Sequence, residues 1–345
     1  MSEPHSTPRL AILPVARPFG DGRKVAFFKP PPSPHVNNFQ NIYVERSWKK
    51  VNGAILDLRW RNNDAVMTFA RIIRKLGMMR NFARSGRTAY LTPILGLSEQ
   101  CAFPKCYFNE TISWSFDCWP GRWGEWESYF RRHKVNVAFI SARRSAEEMQ
   151  KRVPEMDVVW LPEATDQNEY RPDKPLRERK YQVVEMGRKY QPYHDKIVDG
   201  LQTTGVRHLF GATSTTLIFH NRAETVQGLS ETQISICFPS SITSSYYAGE
   251  VETATHRYFE GLASNNILLG HTPKELVDLM GFDPGIEADL NDPLGQIQSI
   301  LANIDEYQPM VDRNYARFLE VGTWDSRVRS ICQELRRRGY GVAEV

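Results

Sequence analysis

Two glutamates near the C-terminal end of the chain have a spacing that suits a phosphate-bearing ligand. Glu252 and Glu260 lie eight positions apart, on either side of residues 253–259. Eight positions along an α-helix turn a side chain about 80° beyond two full turns, so two glutamates within one helix would point in different directions. If Glu252 precedes the helix and Glu260 lies inside it, both carboxylates can converge on one ligand at the helix N-terminus. The free N–H groups and positive dipole end there favour a phosphate.

The same residues resemble a known signature. The run from Glu252 to Glu260 resembles the E-x7-E motif of retaining glycosyltransferases with the two-domain GT-B fold. Residues 257–263 resemble the R-x-F-E-x-x-A signature of the glycosyltransferase group-1 branch, which includes spore-maturation-protein-like transferases. Glu250 lies two positions before Glu252, so either of these two glutamates can take the first place of the motif.

A second stretch extends the resemblance towards the N-terminus. Residues 160–172 resemble the segment that joins the two domains of GT-B enzymes, with Ala164 in the place of the usual glycine. The resemblance covers about residues 157–338, and over the first 155 residues it is architectural only. A variable first half is expected if that half holds the acceptor.

The resemblance implies a role for each residue of the motif. Glu260 would accept hydrogen bonds from the nucleotide ribose, since the two oxygens of a carboxylate suit a vicinal diol. Glu252 would lie beside the donor sugar, where a carboxylate binds hydroxyls or stabilises an oxocarbenium-like centre. Thr255, His256 and Arg257 would offer N–H groups and side chains to the diphosphate. The alternative for each is an ordinary solvated position on a loop or helix.

A glycine–arginine pair supplies a further part of the implied donor site. Gly187 and Arg188 follow a predicted strand, and the family places a G-R pair there whose arginine contacts the donor diphosphate. Ligands of such sheets lie outside the carboxyl ends of the strands, which is where Arg188 falls. Many family members add a lysine five positions further on, but Tyr193 occupies that place here. Lys189 or Lys196 would have to supply the second cation.

The first half offers two weaker candidates for an acceptor site. Asp117 ends a predicted strand and precedes Cys118 and Trp119, and aromatic faces stack on the C–H surfaces of sugars. The competing interpretation is a capping aspartate next to core tryptophans. His35 follows the proline-rich residues 30–34 and is the second candidate.

Short apolar segments alternate with helical patterns, which predicts an α/β fold with parallel sheets. Strands are predicted at 24–28, 53–58, 89–95, 112–118, 135–141, 157–161, 181–186, 206–210, 215–219, 234–238 and 266–270. Helices are predicted at 64–76, 122–134, 142–152, 221–229, 255–263, 273–280, 293–304, 306–321 and 324–338.

The resemblance implies two Rossmann-like domains that face each other across a cleft, as in the GT-B fold. We expect an acceptor-binding domain over residues 1–165 and a nucleotide-sugar-binding domain over 166–322. Residues 323–345 would form a helix that packs back on the N-terminal domain.

Composition and absent motifs narrow the function classes. The 345 residues fit two domains, and the net charge of +4 is too small for a dedicated nucleic-acid binder. No run of about 18 apolar residues exists, and the N-terminus lacks a signal-peptide layout. Five cysteines without regular spacing indicate reduced thiols. We expect a cytoplasmic protein with at most peripheral contact to the inner face of the membrane.

Several catalytic motifs are missing from the chain. No D-x-D is present, so the metal-bound diphosphate site of the other large glycosyltransferase fold is not expected. The P-loop, the G-x-G-x-x-G fingerprint and the G-x-S-x-G elbow are also absent, which argues against a P-loop kinase, a dinucleotide dehydrogenase and an α/β-hydrolase.

The sequence therefore predicts a metal-independent glycosyltransferase that retains anomeric configuration. Its co-substrate would be a nucleotide-diphospho-sugar, with no other cofactor, and Glu252 and Arg188 would be its catalytic residues. The acceptor would be a glycan, a lipid-linked glycan or a small molecule, as in polysaccharide biosynthesis. Three alternatives stay open: a transferase acting on modified DNA bases, a nucleotide-sugar epimerase of the same fold, and a non-catalytic nucleotide-sugar-binding scaffold.

Overall fold

The computed structural model describes residues 22–28, 39–56, 64–76, 88–97, 106, 109–170, 172–211 and 216–342. The chain divides into two compact units. The first unit comprises Met1–Pro162 together with Trp324–Val345, and the second comprises Glu163–Thr323.

The first unit contains a six-stranded sheet in the order β2-β1-β3-β4-β5-β6, in which all pairs are parallel. Its strands are β1 (Lys24–Phe28), β2 (Ala54–Leu56), β3 (Thr88–Leu95), β4 (Glu110–Phe116), β5 (Val135–Ile140) and β6 (Asp157–Trp160). Its helices are α1 (Phe39–Lys50), α2 (Asp64–Lys75), α3 (Trp123–Arg132), α4 (Arg143–Arg152) and, after the second unit, α13 (Trp324–Arg337). All seven residues of β4 are buried, as expected for the centre of a parallel sheet with both faces covered.

The helix α13 belongs to the first unit through specific contacts. The Trp324 ring packs edge-on against Trp114 of β4, with 5.4 Å between ring centroids. The carboxylate of Asp325 accepts hydrogen bonds from Ser47 at 2.6 Å and from Lys50 at 2.7 Å, both on α1. These contacts fix the first turn of α13 against the sheet and α1.

The second unit contains a five-stranded parallel sheet in the order β11-β10-β9-β7-β8. Its strands are β7 (Tyr181–Glu185), β8 (His208–Phe210), β9 (Thr232–Cys237), β10 (Ile267–Gly270) and β11 (Gly285–Glu287). Its helices are α5 (Gln191–Thr203), α6 (Arg222–Ser230), α7 (Ser240–Thr243), α8 (Ser245–Ala248), α9 (His256–Ala263), α10 (Lys274–Met280), α11 (Pro293–Ala302) and α12 (Gln308–Val321).

Apolar residues cover both faces of this second sheet. Neighbouring strand residues point to opposite faces, so Val183 packs with Ile197 of α5 and Ile297 of α11. Val184 packs on the other face, with Phe259 of α9. Helices on both faces explain why the strands read as continuous apolar runs rather than as alternating ones.

The strand order of the second unit reverses between β7 and β9. From β7 the chain moves to β8 on one side, and it then crosses to β9 on the other side. In open α/β sheets, ligands bind outside the carboxyl ends of the strands at such a reversal. The segments that follow Glu185 and Cys237 are therefore the segments that position a ligand site.

The two parallel sheets with flanking helices confirm the predicted α/β fold class. One predicted strand, 215–219, is wrong over its described residues 216–219, which form no strand. Ile218 and Phe219 of this segment instead pack against the apolar cluster around α9. The strand β8 occupies that edge of the sheet. The helices α1, α5, α7 and α8 and the short strand β11 were not predicted. No helix among the described residues has both the length and the apolar character needed to cross a membrane.

Candidate functional site

The turn after β7 and the N-terminus of α9 meet at the point where the strand order reverses. Gly187 has a φ of +80°, a left-handed conformation that favours glycine. A Cβ at Gly187 would lie 3.2 Å from Nη2 of Arg257, in the first turn of α9. The Nη1 group of Arg257 donates a hydrogen bond to the backbone carbonyl of Arg188 at 3.1 Å. The glycine–arginine turn and the motif helix are thus joined directly.

The side chain of Arg188 extends from the end of β7 towards the segment after β9. Its Nη1 donates to the hydroxyl of Tyr247 at 2.6 Å, and its Nη2 donates to Oγ of Ser240 at 3.3 Å. The guanidinium also lies over the Tyr247 ring, 5.6 Å from its centroid. Ser240 begins α7 and Tyr247 lies in α8, so two short helices position this guanidinium.

The loop between the two motif glutamates is held by a third, buried glutamate. Oε1 of Glu275, on α10, accepts hydrogen bonds from Oγ1 of Thr253 at 2.6 Å and from the backbone N–H of Ala254 at 2.7 Å. These bonds fix the two residues that precede Thr255, which is the N-cap residue of α9. Oγ1 of Thr255 is buried and has no hydrogen-bond partner among the described residues, so it can still bond to a ligand at the helix N-terminus.

Glu260 is a buried carboxylate in a cluster of charged and polar side chains. Its Oε1 accepts hydrogen bonds from the Tyr170 hydroxyl at 2.9 Å and from Nη1 of Arg222, and it lies 3.1 Å from Nε2 of His256. Burial acts to raise the pKa of Glu260, but His256 and Arg222 outweigh it and lower the pKa to about 2. Glu260 is therefore ionised, and within the described chain these contacts all go to Oε1.

Arg222 connects Glu260 to a second carboxylate. Its Nε donates to Oε2 of Glu169 at 2.8 Å, and its guanidinium lies over the Tyr170 ring at 5.1 Å from the centroid. Arg222 begins α6, whose N-cap residue Asn221 accepts a hydrogen bond from the backbone N–H of Glu224. The capped helix fixes the position from which Arg222 reaches Glu260.

Glu252 lies at the carboxyl edge of the sheet beside a histidine. Its Oε1 is 3.1 Å from Nε2 of His271, which follows β10, and Nδ1 of His271 is 3.1 Å from Oε1 of Glu287 at the end of β11. Partial burial acts to lower the pKa of His271, but the Glu287 and Glu252 carboxylates outweigh it and raise the pKa above its ordinary value. The Tyr258 hydroxyl donates to the backbone carbonyl of His271 at 2.8 Å. Glu252 thus faces an imidazole that lies between two carboxylates.

The structure gives each predicted donor residue a place in the second unit. Glu252 precedes α9 and Glu260 lies inside it, which is the arrangement that the spacing required. Tyr193, at the position of the family lysine, is buried in the core. Lys189 donates to the carbonyl of Gly211 at 2.9 Å and Lys196 to that of Leu290 at 2.5 Å. The second cation beside the turn after β7 is therefore the guanidinium of Arg257 rather than a lysine.

The acceptor candidates belong to the first unit. Asp117 is exposed directly after β4, its Oδ1 accepts a hydrogen bond from Nε1 of Trp119 at 3.1 Å, and its backbone carbonyl accepts one from Nε1 of Trp126 at 3.2 Å. Both tryptophans are buried, as the competing interpretation expects, but Asp117 caps neither of the two helices that follow it. The acceptor role of Asp117 stays a prediction. His35 lies outside the described residues.

Several residues of this site were not predicted from the sequence. They contact the predicted residues from positions distant in sequence: Tyr170, Arg222, Ser240, Tyr247, His271, Glu275 and Glu287. Position alone could have indicated His271, since it follows a predicted strand at its carboxyl end. Nothing in their spacing indicates the others.

Solved structures with the same fold are known. HepE of Anabaena, crystallised with UDP, is 8% identical, with a TM-score of 0.56 over 91% of this chain and 100% of that one. AviGT4, a glycosyltransferase of avilamycin A biosynthesis, is 10% identical, with a TM-score of 0.54 over 91% and 97%. An alpha-glucosyltransferase in complex with UDP and a 13-mer DNA is 10% identical, with a TM-score of 0.53 over 91% and 99%.

The chain shares the two-domain α/β fold of these GT-B glycosyltransferases. No protein-family model matches the sequence, and no curated protein matches it.

Proposed function

We propose that the protein is a glycosyltransferase that moves a sugar from a nucleotide-diphospho-sugar to an acceptor hydroxyl. The observation that carries this proposal is the junction of the Gly187 turn with the N-terminus of α9 at the strand-order reversal. Arg257, in the first turn of α9, contacts the backbone of this turn, and the guanidinium of Arg188 on the same turn reaches Ser240 and Tyr247. These two cations and the helix dipole would form an anion site that suits a diphosphate.

The remaining parts of a nucleotide-sugar fit around that anion site. Thr255 would bind the diphosphate through its buried hydroxyl, which has no partner in the part of the chain that the structure describes. His256 and Arg257 would bind it through their backbone N–H groups. The Glu260 carboxylate would bind the ribose through Oε2, since Tyr170 and Arg222 engage Oε1. An ionised carboxylate accepts hydrogen bonds from hydroxyls more strongly than a neutral group does.

The reaction would proceed by stabilising the leaving group. Arg188, Arg257 and the helix N-terminus would neutralise charge on the diphosphate as the anomeric bond lengthens. Glu252, positioned by His271, would orient the donor sugar. The acceptor hydroxyl would attack from the face that the diphosphate leaves, and a donor phosphate oxygen would take its proton. This route retains anomeric configuration and needs neither a protein base nor a metal at the diphosphate.

Two structures of one fold neighbour suggest the first donors to test. HepE was crystallised with UDP and, in a second structure that is 9% identical with a TM-score of 0.54, with UDP-glucose. Uridine-diphosphate sugars are therefore our first candidates for this chain. We infer that the second unit binds the donor and that the first unit, with Asp117 at the carboxyl edge of its sheet, binds the acceptor.

A modified base in DNA is the second candidate acceptor. The alpha-glucosyltransferase bound to DNA has a TM-score of 0.53, close to that of the other neighbours, and the chain has a small positive net charge of +4. The glycan acceptor is preferred, because a charge this small supplies little sequence-independent attraction to a phosphate backbone.

Turnover measured without added magnesium or manganese tests the proposal. Wild-type protein and Arg188→Gln would each receive UDP-glucose or a related donor. The acceptors would be glycans, small molecules with a free hydroxyl, and duplex DNA. Release of the nucleoside diphosphate would be measured. We expect acceptor-dependent release, at least about 100-fold slower in the variant, and NMR of the product should show the donor's anomeric configuration. Binding without release would indicate the scaffold, and an altered donor sugar without transfer would indicate the epimerase.

A further inference from the structure

A buried cluster of one carboxylate and two imidazoles lies at the carboxyl end of β7. Oε2 of Glu185 contacts Nδ1 of His194 and lies 3.1 Å from Nε2 of His208. These three atoms lie within 4.8 Å of one another. The side chains of Glu185, His194 and His208 are 3%, 6% and 1% exposed. Such a set is removed from solvent, unlike the acidic clusters of a protein surface.

Three separate elements bring the cluster together. Glu185 is the last residue of β7, His208 is the first residue of β8, and β8 pairs with β7 in parallel. His194 lies in the first turn of α5, where its backbone N–H donates to the Tyr190 carbonyl at 3.0 Å. The ring of Phe210 lies 4.8 Å from each imidazole and forms an apolar wall beside them.

Hydrogen bonding within the protein leaves part of this cluster unsatisfied. Nδ1 of His208 and the hydroxyl of Tyr193 are buried without partners among the described residues. Neither atom belongs to the converging set of Oε2 of Glu185, Nδ1 of His194 and Nε2 of His208, and this convergence is the feature that suits a ligand.

We propose that Glu185, His194 and His208 bind a divalent transition-metal ion, with zinc the preferred ion. Two imidazoles and one carboxylate form a ligand set that zinc uses with water in its fourth position. Tetrahedral zinc with ligands at 2.0–2.1 Å holds its ligand atoms about 3.3 Å apart, so small side-chain movements suffice here. The ion would cross-link β7, β8 and α5 just before the Gly187 turn.

Metal binding has one clear consequence for a neighbouring lysine. Nζ of Lys189 lies 3.3 Å from Nε2 of His194 and donates to the Gly211 carbonyl at 2.9 Å. Coordination through Nδ1 leaves the imidazole proton on Nε2, which then cannot accept from an ammonium group. Lys189 would have to turn away from His194 when the metal binds. Removing its charge should therefore strengthen metal binding.

Zinc titration of chelator-stripped full-length protein, followed by calorimetry, tests the site. We expect one ion per chain, an affinity at least about tenfold weaker in His208→Gln and His194→Gln, and a tighter affinity in Lys189→Met. His208→Gln is informative because its amide can still donate to Glu185 while no longer offering a nitrogen ligand. Two control variants should bind zinc as the wild type does. His220→Gln changes an exposed histidine. His271→Gln removes the imidazole between Glu252 and Glu287, so unchanged binding would show that the ion is not held there.

A second measurement covers the case in which a ligand variant fails to fold. In wild-type protein, zinc should shift the ¹⁵N NMR resonances of Nδ1 of His194 and Nε2 of His208 and leave those of the other histidines in place. Absence of zinc binding by the wild type, equal binding by His208→Gln, or shifts confined to other histidines would each overturn the proposal. The outcome is independent of the proposed transferase activity, since a protein without turnover would still bind the ion.

Discussion

Arg257 donates a hydrogen bond from Nη1 to the backbone carbonyl of Arg188 at 3.1 Å. The bond joins residues 69 positions apart and brings the turn after β7 to the motif helix α9. It also orients the Arg257 guanidinium towards Gly187, where a Cβ would lie 3.2 Å from Nη2. The proposed diphosphate site depends on this contact.

Gly187→Ala should weaken donor binding beyond its effect on stability. The φ of +80° makes any side chain strained by about 1–2 kcal/mol, and the new Cβ would press on Arg257. Gly281→Ala is a matched control, with a φ of +81° and no atom within 4 Å of its Cβ. Both variants should lose similar unfolding free energy in urea, and only Gly187→Ala should lose nucleotide affinity. Equal affinity in the two variants would contradict the role of the turn.

Glu275→Ala should impair the site without touching the ligand. It leaves the Ala254 N–H and the Thr253 hydroxyl without their buried acceptor, at a cost of about 1–3 kcal/mol for each group. Glu275→Gln keeps an acceptor oxygen and should stay near the wild type in urea unfolding and in donor affinity. If Glu275→Gln lost as much stability and donor affinity as Glu275→Ala, the charge of Glu275 would matter rather than its hydrogen bonds.

Glu260 should make stability fall in acid. Its pKa of about 2 in the folded state lies below the ordinary value of 4.5, so its contribution is present above pH 4.5 and is lost as the pH falls through about 2. The unfolding free energy of the wild type should fall more steeply over this window than that of Glu260→Gln, by on the order of 3 kcal/mol. Parallel pH profiles for the two proteins would show that Arg222 and His256 do not stabilise the carboxylate.

His271 should titrate above the ordinary histidine value of 6.5 because Glu287 and Glu252 flank it. Its stabilising contribution is then present below pH 6.5 and is lost as the pH rises through its raised pKa. In an NMR titration, Glu287→Gln should lower the pKa of His271. Glu306→Gln, which changes an exposed glutamate, should leave it unchanged. An unaltered titration in Glu287→Gln would mean that the carboxylate does not interact with the imidazole in solution.

Local patterns predicted most of the sheet and little of the site's surroundings. The strand β1 begins at Lys24 and ends at Phe28 as predicted, because its apolar run is short and flanked by polar residues and prolines. Helix α1 was missed because Phe39–Lys50 has no strong apolar stripe, and its stability comes from packing on α13. The predicted strand at 215–219 failed because β-branched composition favours a strand without showing whether a sheet has room for one.

In the site too, positions close in sequence could be predicted, and contacts between positions far apart in sequence could not. The helix predicted at residues 255–263 left Glu252 before the helix and Glu260 inside it, and α9 has this arrangement. Tyr170 lies 90 positions before Glu260, and only the folded chain brings their side chains together. Of the two groups that lower the pKa of Glu260, His256 lies four residues before it on α9, whereas Arg222 comes from another helix that the sequence does not place nearby.

Calorimetric binding of UDP, GDP, ADP, CMP and dTDP sugars, without added magnesium or manganese, tests the central claim most directly. The wild type should bind one class of nucleotide sugar at one site per chain. Glu260→Ala should weaken it at least tenfold, which corresponds to about 1.4 kcal/mol, while Glu306→Ala should bind as the wild type does. A folded wild-type protein that binds none of these sugars, or a Glu260→Ala variant that binds them equally well, would contradict the account of a nucleotide-sugar site at α9.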